Sequence, residues 1–290
     1  MKLLVATYRL RMTVYFLSVV AFVAFTWLGA VAPNQQLKQI LIAAALASIG
    51  VFLLTILLIF SGKKLRPSHD EVAVVAPVAD RWLGLNSPQD KVPSHGVHTL
   101  GQTYAIDLIH DPDGSGRRPL SRGIGMHPPQ EFVSFGQPVF AMVSGEVVRV
   151  SQWRRDHESR SSLFAILFLL VEAAIRELGG AGFIMGNHVV IRGANGVHAV
   201  VCHLQRGSVS VKIGQQVVAG QQIGLCGNSG NSSEPHVHAQ LMDRANPNTA
   251  FGIPMAFKDT TIDDAHISGP TLPANGQAMN APAVSLTGFQ

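Results

Sequence analysis

Two long apolar runs dominate the first part of the chain. Residues 12–31 and 40–60 carry no charged side chain over twenty and twenty-one positions. At about 1.5 Å rise per residue, a helix of either length approaches the roughly 30 Å hydrocarbon core of a bilayer. The pattern predicts a membrane anchor over residues 1–66, with two transmembrane helices joined by a short turn at residues 33–38.

The first apolar run has a second interpretation. Ala30, Val31 and Ala32 are small residues of the kind found at a signal-peptide cleavage site. The run is longer than the usual apolar core of a signal peptide, which favours a membrane span. Cleavage of this segment stays open at the level of sequence.

After residue 66 the long runs give way to short ones. Residues 67–94 are polar and contain several prolines, which predicts a linker. In residues 95–257, apolar runs of strand length alternate with Gly-rich turns, and this predicts a mainly β, antiparallel domain. The segment 258–290 lacks apolar periodicity and is predicted to be a disordered tail.

One segment of this domain has a helical pattern. Residues 163–178 contain no Gly or Pro, are rich in helix-forming residues and are followed by Gly179 and Gly180, a common helix stop. We therefore expect a helical insertion at about 160–180. Its apolar core is too short to span a bilayer, so it packs on the sheet, covers a cleft or rests on a membrane.

Charge and cysteine content add limited information. The 290 residues carry a net charge of +4 without a basic cluster or a nucleic-acid motif, so no nucleic-acid partner is expected. The two cysteines, Cys202 and Cys226, do not form a disulfide framework and are expected to be free, buried thiols. Strand alternation places Cys202 and His203 on opposite faces, which argues against a cysteine nucleophile.

The basic residues that flank the apolar runs bear on topology. They precede the first run and follow the second, at Lys2, Arg9, Arg11, Lys63, Lys64 and Arg66. Two spans place both ends of the anchor on one side of the membrane, and the charge bias favours the cytoplasm for both. The loop between the runs contributes only Lys38, so the bias is small.

The chemistry-bearing residues centre on His236 and His238. In a strand, residues separated by one position project from the same face, so this pair forms a possible half-site for a metal. His98, Asp107 and His203 lie upstream of it. Three protein ligands of nitrogen and oxygen type with one open position are typical of a catalytic zinc site.

The order of these residues, with a Gly-rich loop before His236, resembles the lysostaphin-like, LytM-type zinc metallopeptidases. The resemblance covers about residues 90–245 and implies an antiparallel peptidase fold. It also implies a Zn²⁺ ion held by His98, Asp107 and His238, with His203 and His236 as catalytic residues. The expected activity is metalloendopeptidase hydrolysis of peptide bonds in peptidoglycan or another peptide.

Several alternatives remain beside this resemblance. His95 competes with His98 as first ligand, because the interval to Asp107 is longer than the family's common spacing, and Glu234 is an alternative base. A catalytically silent LytM-type regulator is a second hypothesis. A biotinyl or lipoyl carrier module is a third, although the turn at residues 143–145 lacks the modifiable lysine.

The anchor and the resemblance together predict a location. We expect a multi-pass protein of the cell membrane that contacts lipid, with the peptidase domain on the cell-wall side where peptidoglycan lies. The flanking charges favour the opposite side. The oligomeric state cannot be read from the sequence.

Overall fold

The computed structural model describes residues 2–61, 65–115, 125–160 and 162–282. The chain divides into two compact units, Met1–Ser68 and His69–Gln290. The first unit is helical and the second is mainly β, as the apolar patterns predict.

The helical unit contains α1 (Lys2–Arg9), α2 (Arg11–Ala30) and α3 (Gln35–Ser61). The rings of Tyr15 and Phe52 lie 5.1 Å apart, and Gly29 faces Leu41 near the other end, so α2 and α3 form an antiparallel pair. α2 and residues 35–60 of α3 are long and apolar enough to cross a membrane.

The turn between these helices is shorter than predicted. Asn34 Oδ1 accepts a hydrogen bond from the backbone N–H of Leu37 at 2.8 Å, which caps the start of α3. α3 therefore begins at Gln35, inside the segment expected to form the turn. The cap shows why apolar content alone misplaces the start of the helix: its first turn is polar.

The β unit consists of short strands and two further helices. The strands are β1 (Val72–Val74), β2 (Asp80–Leu85), β3 (Ile106–His110), β4 (Pro138–Phe140), β5 (Gly145–Ser151), β6 (His188–Arg192), β7 (His198–Cys202), β8 (Gln216–Val217), β9 (Gln222–Leu225), β10 (Val237–Met242), β11 (Gly252–Ile253), β12 (Met255–Phe257), β13 (Thr261–Ile262), β14 (Ala265–His266) and β15 (Ala278–Ala281). The predicted mainly antiparallel β fold is confirmed.

One large sheet organises this unit. Within the described residues its strand order is β14-β13-β15-β2-β3-β10-β7-β6-β5-β8, with β11 paired to β10. Its neighbouring strands are antiparallel, whereas the separate pair β1 and β12 is parallel. β6 and β7 form a hairpin, whose turn is Ala194–Gly196 with Asn195 at φ +56°.

The two faces of the central strands differ. Val201 on β7 and Ala239 on β10 belong to the large apolar core, together with Ile106 and Leu108 on β3. The opposite face carries Asp107, Cys202 and the alternating polar residues of β10. Because side chains alternate along a strand, one face of these strands packs in the core and the other carries the polar side chains of the site.

The inserted helix is present where the sequence predicts it. α4 (Leu163–Leu178) begins after Ser162, whose hydroxyl accepts a hydrogen bond from the N–H of Ala165, and it ends before Gly179. Gly180 adopts φ +83°, a left-handed conformation suited to glycine. The short helix α5 (Ala181–Met185) follows and leads into β6.

The structure corrects the boundaries of the β unit. β1 and β2 lie in residues 67–94, which were expected to be a linker, and β13, β14 and β15 lie in the expected tail. β15 pairs with β2, so the two segments complete the sheet together. Strands of two to six residues carry little periodicity, and distant pairing stabilises them. The predicted tail residues 283–290 lie outside the described residues.

Candidate metal centre

Three adjacent strands bring the centre together. His238 on β10 is directly opposite Asp107 on β3 and Cys202 on β7. In-register residues on neighbouring strands share a face, so these three side chains form a row across the sheet. The aligned strands, rather than a flexible loop, set the position of Asp107 and His238.

The Asp107 carboxylate is the hub of the site. Its Oδ1 lies 2.9 Å from His238 Nδ1 and 3.5 Å from His236 Nε2. Its Oδ2 lies 3.1 Å from His95 Nε2 and accepts a 2.7 Å hydrogen bond from Asn86 Nδ2. Asn86 was not identified in the sequence, because a lone Asn in a turn after a strand carries no metal-site signature.

His95, rather than His98, joins Asp107 and His238. One ligand atom from each of these three residues lies within 4.8 Å of the others. His98 Nδ1 instead lies 3.2 Å from Thr103 Oγ1, and His98 does not belong to this group. The shorter sequence interval to Asp107 favoured His98. The loop before β3 instead folds so that His95, at the longer interval, contacts Asp107.

His203 reaches the site by leaving the strand pattern. β7 ends at Cys202, and His203 follows with φ +60°, in the left-handed region. This conformation turns the ring toward the site, so Cys202 and His203 both line the same cavity. The expectation that they face opposite ways is wrong, because strand alternation stops where the strand ends.

The rings of His203 and His236 lie side by side, with centroids 4.8 Å apart. His203 Nδ1 lies 2.8 Å from the carbonyl oxygen of Ser229, and His236 Nδ1 lies 2.7 Å from that of Glu234. Each Nδ1–H can donate to its carbonyl, which fixes the ring and leaves Nε2 for the site. The loop between β9 and β10 supplies both carbonyls.

Glu234 has a supporting position. Its backbone carbonyl orients His236, and its side chain is buried. In the described part of the chain it is not among the residues that line the cavity. The geometry therefore favours the two histidines over Glu234 as groups that meet a substrate.

The donors fit a metal cation. Gln240 Nε2 donates to the carbonyl of Leu100 at 2.9 Å, so its Oε1 faces His238 Nε2, also at 2.9 Å, as an acceptor. His238 Nε2 then carries hydrogen, and its Nδ1 lone pair faces an Asp107 oxygen. Two acceptors at this distance attract only when a proton or metal ion lies between them. Two imidazoles and a carboxylate are a zinc-type donor set.

The pKa values of the buried groups in the site shift in different directions. Burial alone raises the pKa of Asp107, but the neighbouring His95 and His236 and the hydrogen bond from His236 lower it well below its ordinary value. Burial and the adjacent His236 and His238 lower the pKa of His203. Burial also lowers the pKa of His236, but Asp107 outweighs it, so that pKa is raised.

The cysteines take no part in this chemistry. Cys202 and Cys226 are free and buried, as predicted. Burial raises the pKa of each thiol, and Asp107 adds to the effect at Cys202. A thiolate is the reactive form, so Cys202 is a poor nucleophile even though it lines the cavity.

The site opens into a cavity of about 250 Å³. One wall comes from the helical insertion and its continuation, through Leu169 on α4 and Ile184 and Met185 on α5. The segment expected to pack on the sheet or to cover a cleft thus borders the site directly.

Residues 170–249 match the model of peptidase family M23. The match includes His203, His236 and His238. The chain is therefore similar to peptidase family M23 over 80 of its 290 residues. Members of this family are zinc-dependent hydrolases that act on peptide bonds, and the β unit of this chain contains a His–Asp–His group of the corresponding donor type.

Parts of this chain also resemble curated proteins. Peptidoglycan DD-endopeptidase ShyA from Vibrio cholerae is 44% identical over 73 residues, which cover 24% of this chain and 16% of ShyA. Lysostaphin from Staphylococcus simulans is 32% identical over 146 residues, covering 50% and 24% of the two chains. The chain therefore spans about a sixth to a quarter of the length of these relatives.

Among solved structures, the catalytic domain of lysostaphin from Staphylococcus simulans aligns at 21% identity with a TM-score of 0.31. The alignment covers 63% of this chain and 88% of that one.

Proposed function

We propose that this protein is a membrane-anchored zinc metalloendopeptidase that hydrolyses peptide bonds in peptidoglycan. The observation that carries the proposal is the group of His95, Asp107 and His238, in one cavity with His203 and His236. The family match supports peptide-bond hydrolysis. The name of the relative ShyA, a peptidoglycan DD-endopeptidase, supports a cell-wall peptide as substrate.

His95, Asp107 and His238 would hold the zinc ion, with His95 taking the place that the sequence favours for His98. When bound, zinc supplies Lewis-acid polarisation of a carbonyl oxygen and lowers the pKa of a water molecule toward 7. Gln240 orients His238, and Asn86 orients Asp107, through the hydrogen bonds described above.

His203 and His236 would carry out the proton transfers. In hydrolysis the oxygen of water bonds to the carbonyl carbon, the C–N bond breaks, and a proton from water ends on the leaving amine nitrogen. Because backbone carbonyls hold both Nδ1 atoms, each ring presents Nε2 to the cavity as the atom that can accept or donate this proton. The same nitrogens can hydrogen-bond the developing oxyanion.

The helices α2 and α3 would anchor the protein in the membrane. Side chains such as Leu17, Val20 and Leu46 are apolar and largely exposed, as a lipid-facing surface requires. We propose that the β unit lies on the cell-wall side, because its substrate is there. Alkaline phosphatase fused after Gln290 would be active on that side and inactive if the flanking charges place the domain in the cytoplasm.

The function is tested by digestion of purified peptidoglycan with the zinc-loaded, detergent-solubilised full chain. Mass spectrometry should find new amino termini, and their sequence identifies the bond. His236→Ala should abolish them, whereas His98→Ala should not. Intact peptidoglycan with zinc bound would contradict the activity and favour a catalytically silent regulator. A chain that binds no zinc would contradict the ligand assignment.

A further inference from the structure

Helix α4 is amphipathic, but its apolar face points outward. The side chains of Leu167, Leu170, Val171 and Ile175 are each more than half exposed. These positions recur at helical spacing and form one stripe. In a soluble domain such a stripe normally faces the core.

The inward face of α4 carries two of its three charged residues, Glu172 and Arg176, whereas Glu177 is exposed. Glu172 pairs with Arg160 at 2.8 Å and with Arg176 at 3.2 Å. Arg160 is buried, and Arg176 also reaches Asn231 Oδ1 at 3.4 Å. These contacts fix the rotation of the helix about its axis, so the apolar stripe cannot turn inward without breaking a partly buried ion-pair network.

The apolar stripe continues into a second exposed hydrophobic group. The ring of Phe183 on α5 lies against Gly179 at the end of α4. The Arg154 guanidinium stacks over Phe183 at 3.7 Å and over Trp153 at 4.3 Å from the ring centroids. Trp153 is 65% exposed. Contiguous exposed apolar surface of this kind marks an interaction site.

Basic side chains border this end of the stripe. Arg154, Arg155, Arg176 and Arg206 line a cavity of about 320 Å³. Within the described residues no ion pair joins Arg154, Arg155 or Arg206 to a carboxylate. The nearby Asp156 carboxylate instead accepts hydrogen bonds from the backbone N–H groups of Arg206 and Asn228. The cavity therefore presents excess positive charge beside an apolar surface.

We propose that this surface, formed by the apolar stripe of α4 with Phe183, Trp153 and the three unpaired arginines, docks on a lipid bilayer with anionic headgroups. An apolar helix face enters the acyl region, Trp occupies the interface, and arginines bind phosphate groups. Charge complementarity and the chain's own candidate membrane helices select lipid as the occupant. Ten residues, 62–71, separate α3 from β1, a tether of at most about 35 Å.

Docking would involve the metal centre through α4. Leu169 lies on the inward face of the helix and lines the cavity of the site. A bilayer that holds the outer face would therefore hold this wall of the cavity in place. The inference goes beyond the proposed hydrolysis and does not depend on it.

The test uses nitroxide labels on the full chain in phosphatidylcholine vesicles with and without phosphatidylglycerol. Cys202 and Cys226 are buried, so labels attach at Leu170→Cys on the stripe, at Gln216→Cys, an exposed position of β8, and at Leu46→Cys on α3. Collisions with oxygen report the acyl region, and collisions with a water-soluble nickel chelate report solvent. In anionic vesicles the Leu170 label should shift from chelate to oxygen accessibility, while the Gln216 label stays in water.

A matched pair of triple variants tests the arginines. Arg154→Gln with Arg155→Gln and Arg206→Gln should return the Leu170 label toward water in anionic vesicles. Lys212→Gln with Arg244→Gln and Lys258→Gln removes the same charge from exposed positions elsewhere and should have no effect. If the Leu170 label enters anionic vesicles equally well with and without the three arginine substitutions, the proposed contacts between the arginines and the headgroups are wrong.

Two outcomes would overturn docking itself. In the first, the Leu170 label stays in water in both kinds of vesicle while the Leu46 label lies in the bilayer. The anchor has then inserted, and the surface of α4 has not docked. A shielded Leu170 label whose spin–spin broadening disappears on dilution with unlabelled protein would assign the surface to a second copy of the chain.

Discussion

Two histidines three positions apart have different surroundings. His95 Nε2 reaches Asp107, whereas His98 Nδ1 reaches Thr103. Both residues precede the same strand, and their spacing to Asp107 did not decide between them. Contact with the carboxylate separates them at the residue scale.

Replacing each histidine should therefore have a different effect on zinc binding. His95→Ala removes one of three ligand atoms and should lower zinc affinity by more than the roughly 10- to 100-fold typical of an outer-shell partner. His98→Ala should leave affinity within a few fold. Competition with a chromogenic chelator measures both. Zinc loss in His98→Ala with retention in His95→Ala would reverse the assignment.

A second residue-scale prediction concerns His188. Its Nδ1 hydrogen-bonds the Gly186 carbonyl, and its buried Nε2 has no partner among the described residues. Burial lowers the pKa of His188 to about 4. The unfolded chain takes up this proton near pH 6.5, so stability is full above that pH and falls as pH drops toward 4.

The free energy of unfolding should consequently fall by about 2 kcal/mol from this group between pH 7.5 and pH 5. His188→Asn keeps a donor for the Gly186 carbonyl and cannot titrate, so its stability should depend less on pH by this amount. Urea unfolding followed by tryptophan fluorescence at both pH values provides the measurement. An equal pH dependence in both proteins would rule His188 out as the cause.

At the scale of elements, β15 and β2 show how the end of the chain contributes to the fold. β15 pairs with β2 through four residues, and Ile262, Leu272 and Met279 from the same region are buried in the core. Each segment is short and polar at intervals, which is why the sequence resembled a linker and a tail. Their pairing buries the apolar residues that neither segment can bury alone.

Truncation should reveal this contribution. Ending the chain at residue 257 removes Ile262, Leu272 and Met279, large buried side chains worth about 1.5–3 kcal/mol each, so we expect a loss of roughly 5 kcal/mol or more. Ending it at residue 282 keeps β15 and should change stability by less than about 0.5 kcal/mol. Thermal unfolding of both truncations decides the matter, and equal stability would contradict a structural role for β13–β15.

At the scale of the whole molecule, the metal centre joins segments that are distant in sequence. His95 precedes β3, Asp107 lies on β3, and His238 lies on β10. A ligand held by all three binds the folded state and not the unfolded chain. Metal binding should therefore stabilise the entire β unit.

Removing zinc should lower the melting temperature. At free zinc about 100-fold above the dissociation constant, the stabilisation is about 2.7 kcal/mol, or roughly 5–10 °C for a unit of this size. Differential scanning calorimetry before and after EDTA, followed by restored zinc, measures the shift. Asp107→Asn should show little change on chelation. An unchanged wild-type melting temperature would contradict a metal that bridges these strands.

The sequence by itself determined the features that depend on local pattern. Apolar runs of bilayer length predicted α2 and α3, and the absence of Gly and Pro predicted α4. The His-x-His pair also predicted two rings at the same place, because period two is a property of any strand.

Only the tertiary structure decided the features that depend on distant partners. The choice of His95, the turn of His203 into the site and the contribution of Asn86 follow from loop conformation and strand register. The outward apolar face of α4 follows from its ion pair with Arg160 and its hydrogen bond to Asn231, which both lie outside the helix. Contacts between segments far apart in the chain set these positions, and no local pattern encodes such contacts.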